Sequence, residues 1–145
     1  MIKTFKTKGN EYLSNFAKVV VKLDGVEYPS VEHAYMSAKS EDPTWKLFCQ
    51  NKTRSPGLIK KMSRKQKLVP DWDSKKLSIM EDLVRQKFNK EPFKSKLLNT
   101  GNENIQEGNT WNDKFWGICL KTGDGENHLG RLIMKIRDEL SQVNE

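Results

Sequence analysis

Between Ser30 and Asp73 the chain sets one helix start after another, and this spacing restricts it to short helices joined by turns. Ser30 precedes Val31, Ala34, Tyr35 and Ala38, which recur at the i, i+3, i+4, i+7 spacing of a buried helical stripe. Its hydroxyl is of the type that satisfies the orphan N–H groups of a first turn. Asp42-Pro43 and Ser55-Pro56 each place a capping side chain ahead of a proline at the first helical position, where a missing N–H does no harm. Asp73 is the expected cap of a longer helix whose apolar face is Leu77, Met80, Val84 and Phe88. Pro92 opens a short helix through Leu97 and Leu98, and Leu129, Leu132, Ile133, Ile136 and Leu140 form the stripe of a C-terminal helix.

Strand signals are fewer. Alternation over Ala17 to Leu23, then Asp24-Gly25, then Val26 to Tyr28 predicts a β-hairpin, because Asp-Gly readily takes the positive φ angles of a tight turn. Short strands at Met1 to Phe5 and at Phe115 to Leu120 are expected to join it in a small antiparallel sheet. The fold class that follows is α+β, a mostly helical single domain over residues 1–145.

Four Trp, six Phe and three Tyr among 145 residues supply enough apolar bulk for a packed core, so the chain is not a disordered tail. No apolar run approaches the roughly 20 residues of a membrane span, and Met1 to Lys8 carries lysines without a hydrophobic stretch behind them. Cys49 and Cys119 lie far apart among apolar neighbours and read as reduced core thiols, which points to the cytoplasm. A formal charge of +7 draws the protein toward anions, and Lys60, Lys61, Arg64, Lys65 and Lys67 crowd one short stretch where a nucleic acid could be met. A solvated lysine-rich surface accounts for the same cluster. No helix-turn-helix or other reader motif accompanies it.

His33 and His128 have no Cys, Asp or Glu companions at zinc-ligand spacing, and HExxH, P-loop and GxSxG patterns are absent. Neither a metal nor another cofactor is therefore expected. What remains is carboxylates and tryptophans beside glycines. Glu32 lies in the first turn after Ser30, where the helix dipole favours negative charge, and Lys39 falls on the same flank. In Trp111-Asn112-Asp113-Lys114-Phe115-Trp116-Gly117, two Trp bracket an Asn-Asp pair, a carboxylate beside stacking surfaces such as base-handling enzymes use. Trp72, between two aspartates, is a third aromatic of this kind, and Thr122 to Gly130 forms a glycine-rich lead-in to the last helix. Each has a plainer reading as a helix-terminus contact, a buried ring or a simple turn.

Taken together these stretches resemble the NADAR, or YbiA-like, family. The residues that carry the resemblance are Glu11 to Phe16; Tyr28 to Met36 with Ala38-Lys39; Arg54-Ser55-Pro56; Asp71-Trp72-Asp73; Lys87-Phe88-Asn89; Leu98 to Gly101 with Ile105 and Glu107; Trp111 to Gly117; and Gly125 to Arg131 with Met134, Ile136, Arg137 and Leu140. The resemblance implies an N-glycosidase that breaks a ribose C1′–N bond, with Glu32 and Asp113 as the catalytic carboxylates. It also implies a substrate of nucleotide or ADP-ribose type, which includes ADP-ribosylated guanine, free or on a nucleic acid, and ribosylamino-pyrimidine phosphates of riboflavin synthesis. Asn15, His33, Lys39, Trp72, Trp111, Trp116 and Asn127 are the expected substrate contacts. A nucleotide-binding module without chemistry is the competing expectation from another class.

Overall fold

The computed structural model describes residues 1–143, and its contacts gather into two compact units. One is Asn15–Lys87; the other combines Met1–Ser14 with Phe88–Glu145. Each is described by itself. The fold is α+β, with six helices and two small sheets among the described residues. No helix among them is long and apolar enough to cross a membrane.

In the unit Asn15–Lys87 the expected hairpin forms from β1 (Val21–Leu23) and β2 (Val26–Tyr28), antiparallel, with Val21 opposite Tyr28 and Leu23 opposite Val26. Asp24 and Gly25 hold φ values of 53° and 77°, the left-handed pair such a tight turn requires. Helix α1 (Val31–Ser37) follows at once, and α2 (Pro43–Gln50) and α3 (Pro56–Ser63) pack on it together with both strands. All seven residues of α1 are buried. The anticipated caps are present: the Asp42 carboxylate accepts from Thr44 N–H at 3.0 Å and the Ser55 hydroxyl from Leu58 N–H at 3.1 Å.

The cap of α1 extends into a chain. The Ser30 hydroxyl oxygen accepts from His33 N–H at 3.1 Å and lies 2.6 Å from His33 Nδ1, while His33 Nε2 lies 2.7 Å from the Arg54 carbonyl. A carbonyl only accepts, so the proton sits on Nε2 and Nδ1 accepts from the Ser30 hydroxyl. His33 is thus a neutral, buried brace between α1 and the approach to α3. Burial holds its pKa below the ordinary histidine value, against the opposing pull of the Arg54 carbonyl.

Helix α4 (Trp72–Phe88) departs from expectation at its start. Asp73 lies inside the first turn rather than capping it, and Leu77 is 44% exposed. The first turns bury Trp72 and Met80 instead, which leaves Leu77 on the flank; Leu83, Val84 and Phe88 continue the buried face. Lys87 joins them with no exposed surface, and burial lowers its pKa to about 7.

In the other unit, α5 (Phe93–Leu98) packs on α6 (His128–Val143) and on a 3-10 turn, Glu11–Leu13. The stripe of Leu129, Leu132, Ile133, Ile136 and Leu140 is buried as expected. The sheet differs. The expected strand at Met1 to Phe5 contracts to one parallel bridge, Ile2 with Ile105. The expected strand at Phe115 to Leu120 contracts to β4 (Ile118–Cys119), paired in parallel with β3 (Gly108–Asn109) rather than with the hairpin. Two-residue pairings leave no alternation in the sequence, and the bonds that fold residues 109–117 into turns use the groups a longer strand would need. Cys49 and Cys119 are free and buried, and burial pushes the Cys49 thiol up to about 12.

Two pH effects follow, both from bases whose charged form the fold disfavours. An unfolded lysine holds its proton up to about pH 10.4, whereas folded Lys87 releases it near 7. The unfolded state therefore binds more protons between these values, and stability gains a contribution on the order of a few kcal/mol as pH rises from 7 to 10. In Lys87→Met, denaturant melts should show that rise flattened. Unfolded His33 protonates near pH 6.5 and the folded imidazole only at lower pH. Stability should decline as pH falls below about 6.5 and level off once the folded imidazole titrates. Melts of His33→Gln from pH 7 to 5 should show a shallower decline than the unmodified chain.

Candidate active site

Two groups of the expected residues emerge, one in each unit. In Asn15–Lys87 the group centres on Glu32, which is only 6% exposed. Its backbone N–H donates to the Asn15 carbonyl at 3.1 Å, which ties the approach to the hairpin to the first turn of α1. The Asn15 side-chain amide rests 3.5 Å from Met80 Sδ, a weak acceptor that leaves it readily recruited by a better one. Lys39 lies just beyond the end of α1, half-buried, with its ammonium 5.7 Å from the centre of the Tyr35 ring. Its carbonyl accepts from Val69 N–H at 2.8 Å. Burial drives the Lys39 pKa down; Glu32 is the next influence and opposes the drop, and Lys60, Arg64 and Lys76 act in the same direction as burial. A buried carboxylate and a half-buried ammonium thus share one field.

Tyr35 also meets Trp72, ring centres 5.2 Å apart and planes at 52°. Trp72 is 7% exposed, so the structure packs it into this unit instead of presenting it as an open platform. His33, expected as a substrate contact, has both ring nitrogens engaged and acts through the position of α1.

In the other unit, Asp113 is the hub of a dense polar lattice. Its carboxylate Oδ1 accepts from the N–H groups of Phe115 at 3.1 Å and Trp116 at 3.0 Å, which bends the chain into a tight turn. Asn112 before it has φ 66°, a left-handed conformation that Asn tolerates. Asn109, 1% exposed, clamps the same residue from outside: its Oδ1 accepts from Asp113 N–H at 2.9 Å, and its Nδ2 donates to the Asp113 carbonyl at 2.9 Å and to Glu107 Oε2 at 3.0 Å. Gly117 has no side chain because a Cβ would collide with Glu107.

Asn127, expected as a ligand contact, is spent on the backbone. Its Oδ1 accepts from Glu107 N–H and its Nδ2 donates to the Ile105 carbonyl, both at 3.0 Å. It therefore positions Glu107. Trp116 is half-buried, edge-on to Phe115 at 4.8 Å and to His128 at 6.5 Å. Trp111 is 45% exposed with Lys6 Nζ 4.8 Å from its ring centre.

Glu107 and Asn109 join the group around Asp113, and Tyr35 joins the group around Glu32, without having been singled out as site residues. Glu107 was visible only as part of the resemblance, and a lone Asn two residues on gives no periodic signal. A polar cavity of about 540 Å3, lined by residues that include Lys3, Asn10, Lys96 and Glu103, contains none of these groups. Among the described residues no group of three or more His, Cys, Asp or Glu is placed to hold a metal ion.

The two rings should respond differently to truncation. Trp72→Ala is expected to lose about 3 to 5 kcal/mol of stability, the range for a buried aromatic. Trp116→Ala should lose less stability and weaken nucleotide binding by about 1 to 3 kcal/mol if the ring stacks on a base. Thermal melts beside ligand titrations separate the outcomes.

Residues 4–141 match the model of the NADAR domain. N-glycosidase YbiA of Escherichia coli (strain K12) is 31% identical over 142 residues, covering 94% of this chain and 87% of that protein. N-glycosidase Npun_R5314 of Nostoc punctiforme is 32% identical over 136 residues, covering 90% and 85%. Riboflavin biosynthesis protein VVA0006 of Vibrio vulnificus is 30% identical over 135 residues, but these make up only 36% of its length. The NMR structure of E. coli YbiA superposes with a TM-score of 0.82 at 28% identity, over 99% of this chain and 89% of that one. On the match of its sequence and of its fold, the chain belongs to the NADAR family.

Proposed function

We propose that the protein is an N-glycosidase that hydrolyses a ribose C1′–N bond without a metal ion, and that its substrate is an ADP-ribosylated guanine, as a nucleoside or on DNA. The observation that carries the reading is Glu32, a carboxylate 6% exposed in the first turn of a fully buried helix, with Lys39 in its field. Cleavage of the bond passes through a ribosyl cation, and a fixed carboxylate stabilises that charge or takes the proton of the attacking water. Water supplies the hydroxyl that bonds to C1′, and a proton returns to the departing nitrogen.

Glu32 is the cation stabiliser or base in this reading. Asp113 is the second carboxylate, orienting a ribose hydroxyl or the water; its hold by Asn109 and by two backbone N–H groups suits that task. Lys39 and Asn15 hold ribose hydroxyls or phosphate, Trp116 and Trp111 offer faces to a base, and His33 and Asn127 act as positioning residues. The names of the YbiA and Nostoc relatives support the reaction class. A second reading, ribosylamino-pyrimidine phosphates as substrate, is favoured by the name of the Vibrio relative. A reducing cytoplasmic setting accords with the free thiols. Incubation with guanine-ADP-ribosylated DNA and, separately, with ribosylamino-pyrimidine phosphates, followed by chromatography of released base, tests both; release from neither would reject the activity. Turnover should persist in EDTA.

The sharpest check is Glu32→Gln, which keeps size and helix position and removes charge. Turnover should fall roughly 100- to 10,000-fold, the range for a lost general base or charge stabiliser, while the melting curve and ligand affinity change little. Near-normal turnover would make Glu32 a structural residue of α1 and move the chemistry elsewhere.

A further inference from the structure

The polar cavity belongs wholly to the unit that combines Met1–Ser14 with Phe88–Glu145, and the fold braces its walls from three sides. On the first, Ile2 N–H donates to the Asn104 carbonyl at 2.8 Å and Gln106 N–H to the Ile2 carbonyl at 2.9 Å, which fixes Lys3 at the rim. On the second, Asn10 N–H closes a turn on the Thr7 carbonyl at 2.9 Å. The 3-10 turn that follows packs on α5, where the Tyr12 hydroxyl donates to the Lys96 carbonyl at 3.2 Å. On the third, Arg137 reaches out from α6, its Nη1 donating to Thr100 Oγ1 at 2.9 Å and to the Glu103 carbonyl at 2.7 Å. The volume so framed, about 540 Å3, lies within the range of small-molecule sites.

Two observations point to a ligand. Arg137 is 6% exposed, the hydrogen bonds it makes go to uncharged oxygens, and its Nε has no partner among the described residues. A buried cation without a hydrogen-bonded carboxylate is costly, and an anion on the far side of the wall that Thr100 and Glu103 form offsets part of that cost. The side chains of Lys3, Thr7, Asn10, Asn99 and Glu103 line the cavity and hydrogen-bond to no protein group among the described residues. Polar groups that converge on one concavity with their bonds unspent are what orients a ligand. Their chemistry selects its class. Lys3 and Lys96 are point charges suited to a phosphate, while the amides of Asn10 and Asn99 and the carboxylate of Glu103 match hydroxyl groups. None of the described lining residues carries an aromatic ring on which a base could stack. We propose that this cavity binds a phosphorylated sugar, with its phosphate between Lys3 and Lys96 and its hydroxyls on Asn10, Asn99 and Glu103. None of these residues is among those gathered around Glu32 or Asp113, so the site stands whether or not the protein cleaves a ribose C1′–N bond.

Amide NMR titration with glucose 6-phosphate at constant ionic strength tests the site without any turnover. Saturable shifts should centre on Lys3, Asn10, Asn99 and Glu103, and the melting temperature should rise with ligand concentration. Shifts that are absent, fail to saturate or centre on Glu32 or Asp113 would overturn the site. The double variant Lys3→Gln/Lys96→Gln should melt like the unmodified chain and bind at least about tenfold more weakly, the loss expected when charge-assisted contacts are removed. Equal affinity in that variant would overturn the placement of the phosphate. Asn99→Leu should weaken glucose 6-phosphate about tenfold and leave the affinity for inorganic phosphate unchanged. Inorganic phosphate bound as tightly as glucose 6-phosphate would make the cavity a seat for a bare anion and overturn the sugar class. Release of base from ribosides should be the same in both variants as in the unmodified chain; a fall that parallels the loss of sugar phosphate binding would make the cavity part of the reaction and overturn its independence.

Discussion

A helix of seven residues is too short to persist on its own in water, and α1 is held by what surrounds its first turn. The Ser30 hydroxyl accepts from His33 N–H and donates to the His33 ring, and the ring donates onward to the Arg54 carbonyl. Ser30 and His33 are buried, and each member satisfies the next, which is the condition for burying polar groups without a large penalty. The N–H of Glu32, in the same turn, is taken by the Asn15 carbonyl. The first turn is therefore fixed from two directions before any side chain on it does chemistry. The position of Glu32 is inherited from this chain of bonds.

The unit containing Asp113 reaches a comparable rigidity by other means. There the shape of residues 105–117 comes from side chains bonding to backbone: Asn127 to Ile105 and Glu107, Asn109 to Asp113, and Asp113 to Phe115 and Trp116. Strand pairing contributes only two residues on each side. Close approach is made possible by Gly117 and Gly130, where a Cβ would strike Glu107 in the first case and Ile105 and Asn127 in the second. Such a lattice tolerates little substitution. The Asn109 amide that donates to the Glu107 carboxylate and the Asp113 carbonyl at once cannot be replaced by a carboxylate without setting like charges together at Glu107 and two acceptors together at the Asp113 carbonyl.

What could be read from the sequence is what local chemistry decides. Asp24-Gly25 specifies its own turn, Ser30, Asp42 and Ser55 specify their own caps, and the stripe from Leu129 to Leu140 repeats often enough to orient α6 unaided. Where the partner decides, the reading failed. Leu77 fits the apolar periodicity of α4, but the packing of Trp72 on Tyr35 sets which side of the first turns faces inward. The parallel pairing of Gly108–Asn109 with Ile118–Cys119 is too short to show a period. The site divides in the same way. Glu32, Lys39 and Asp113 were visible as charged residues in specific company. His33, Trp72 and Asn127 looked like ligand contacts because their residue types are versatile, and their partners could be known only from the fold.

The basic excess of the chain acquires a different meaning once its distribution is known. A charge of +7 spread over a solvated surface would be largely screened within about 8 Å at physiological salt. Around Lys39, which is half-buried, screening is weaker, and the burial that lowers its affinity for a proton also strengthens its response to neighbouring charge. Glu32 opposes both that burial and the neighbouring cations.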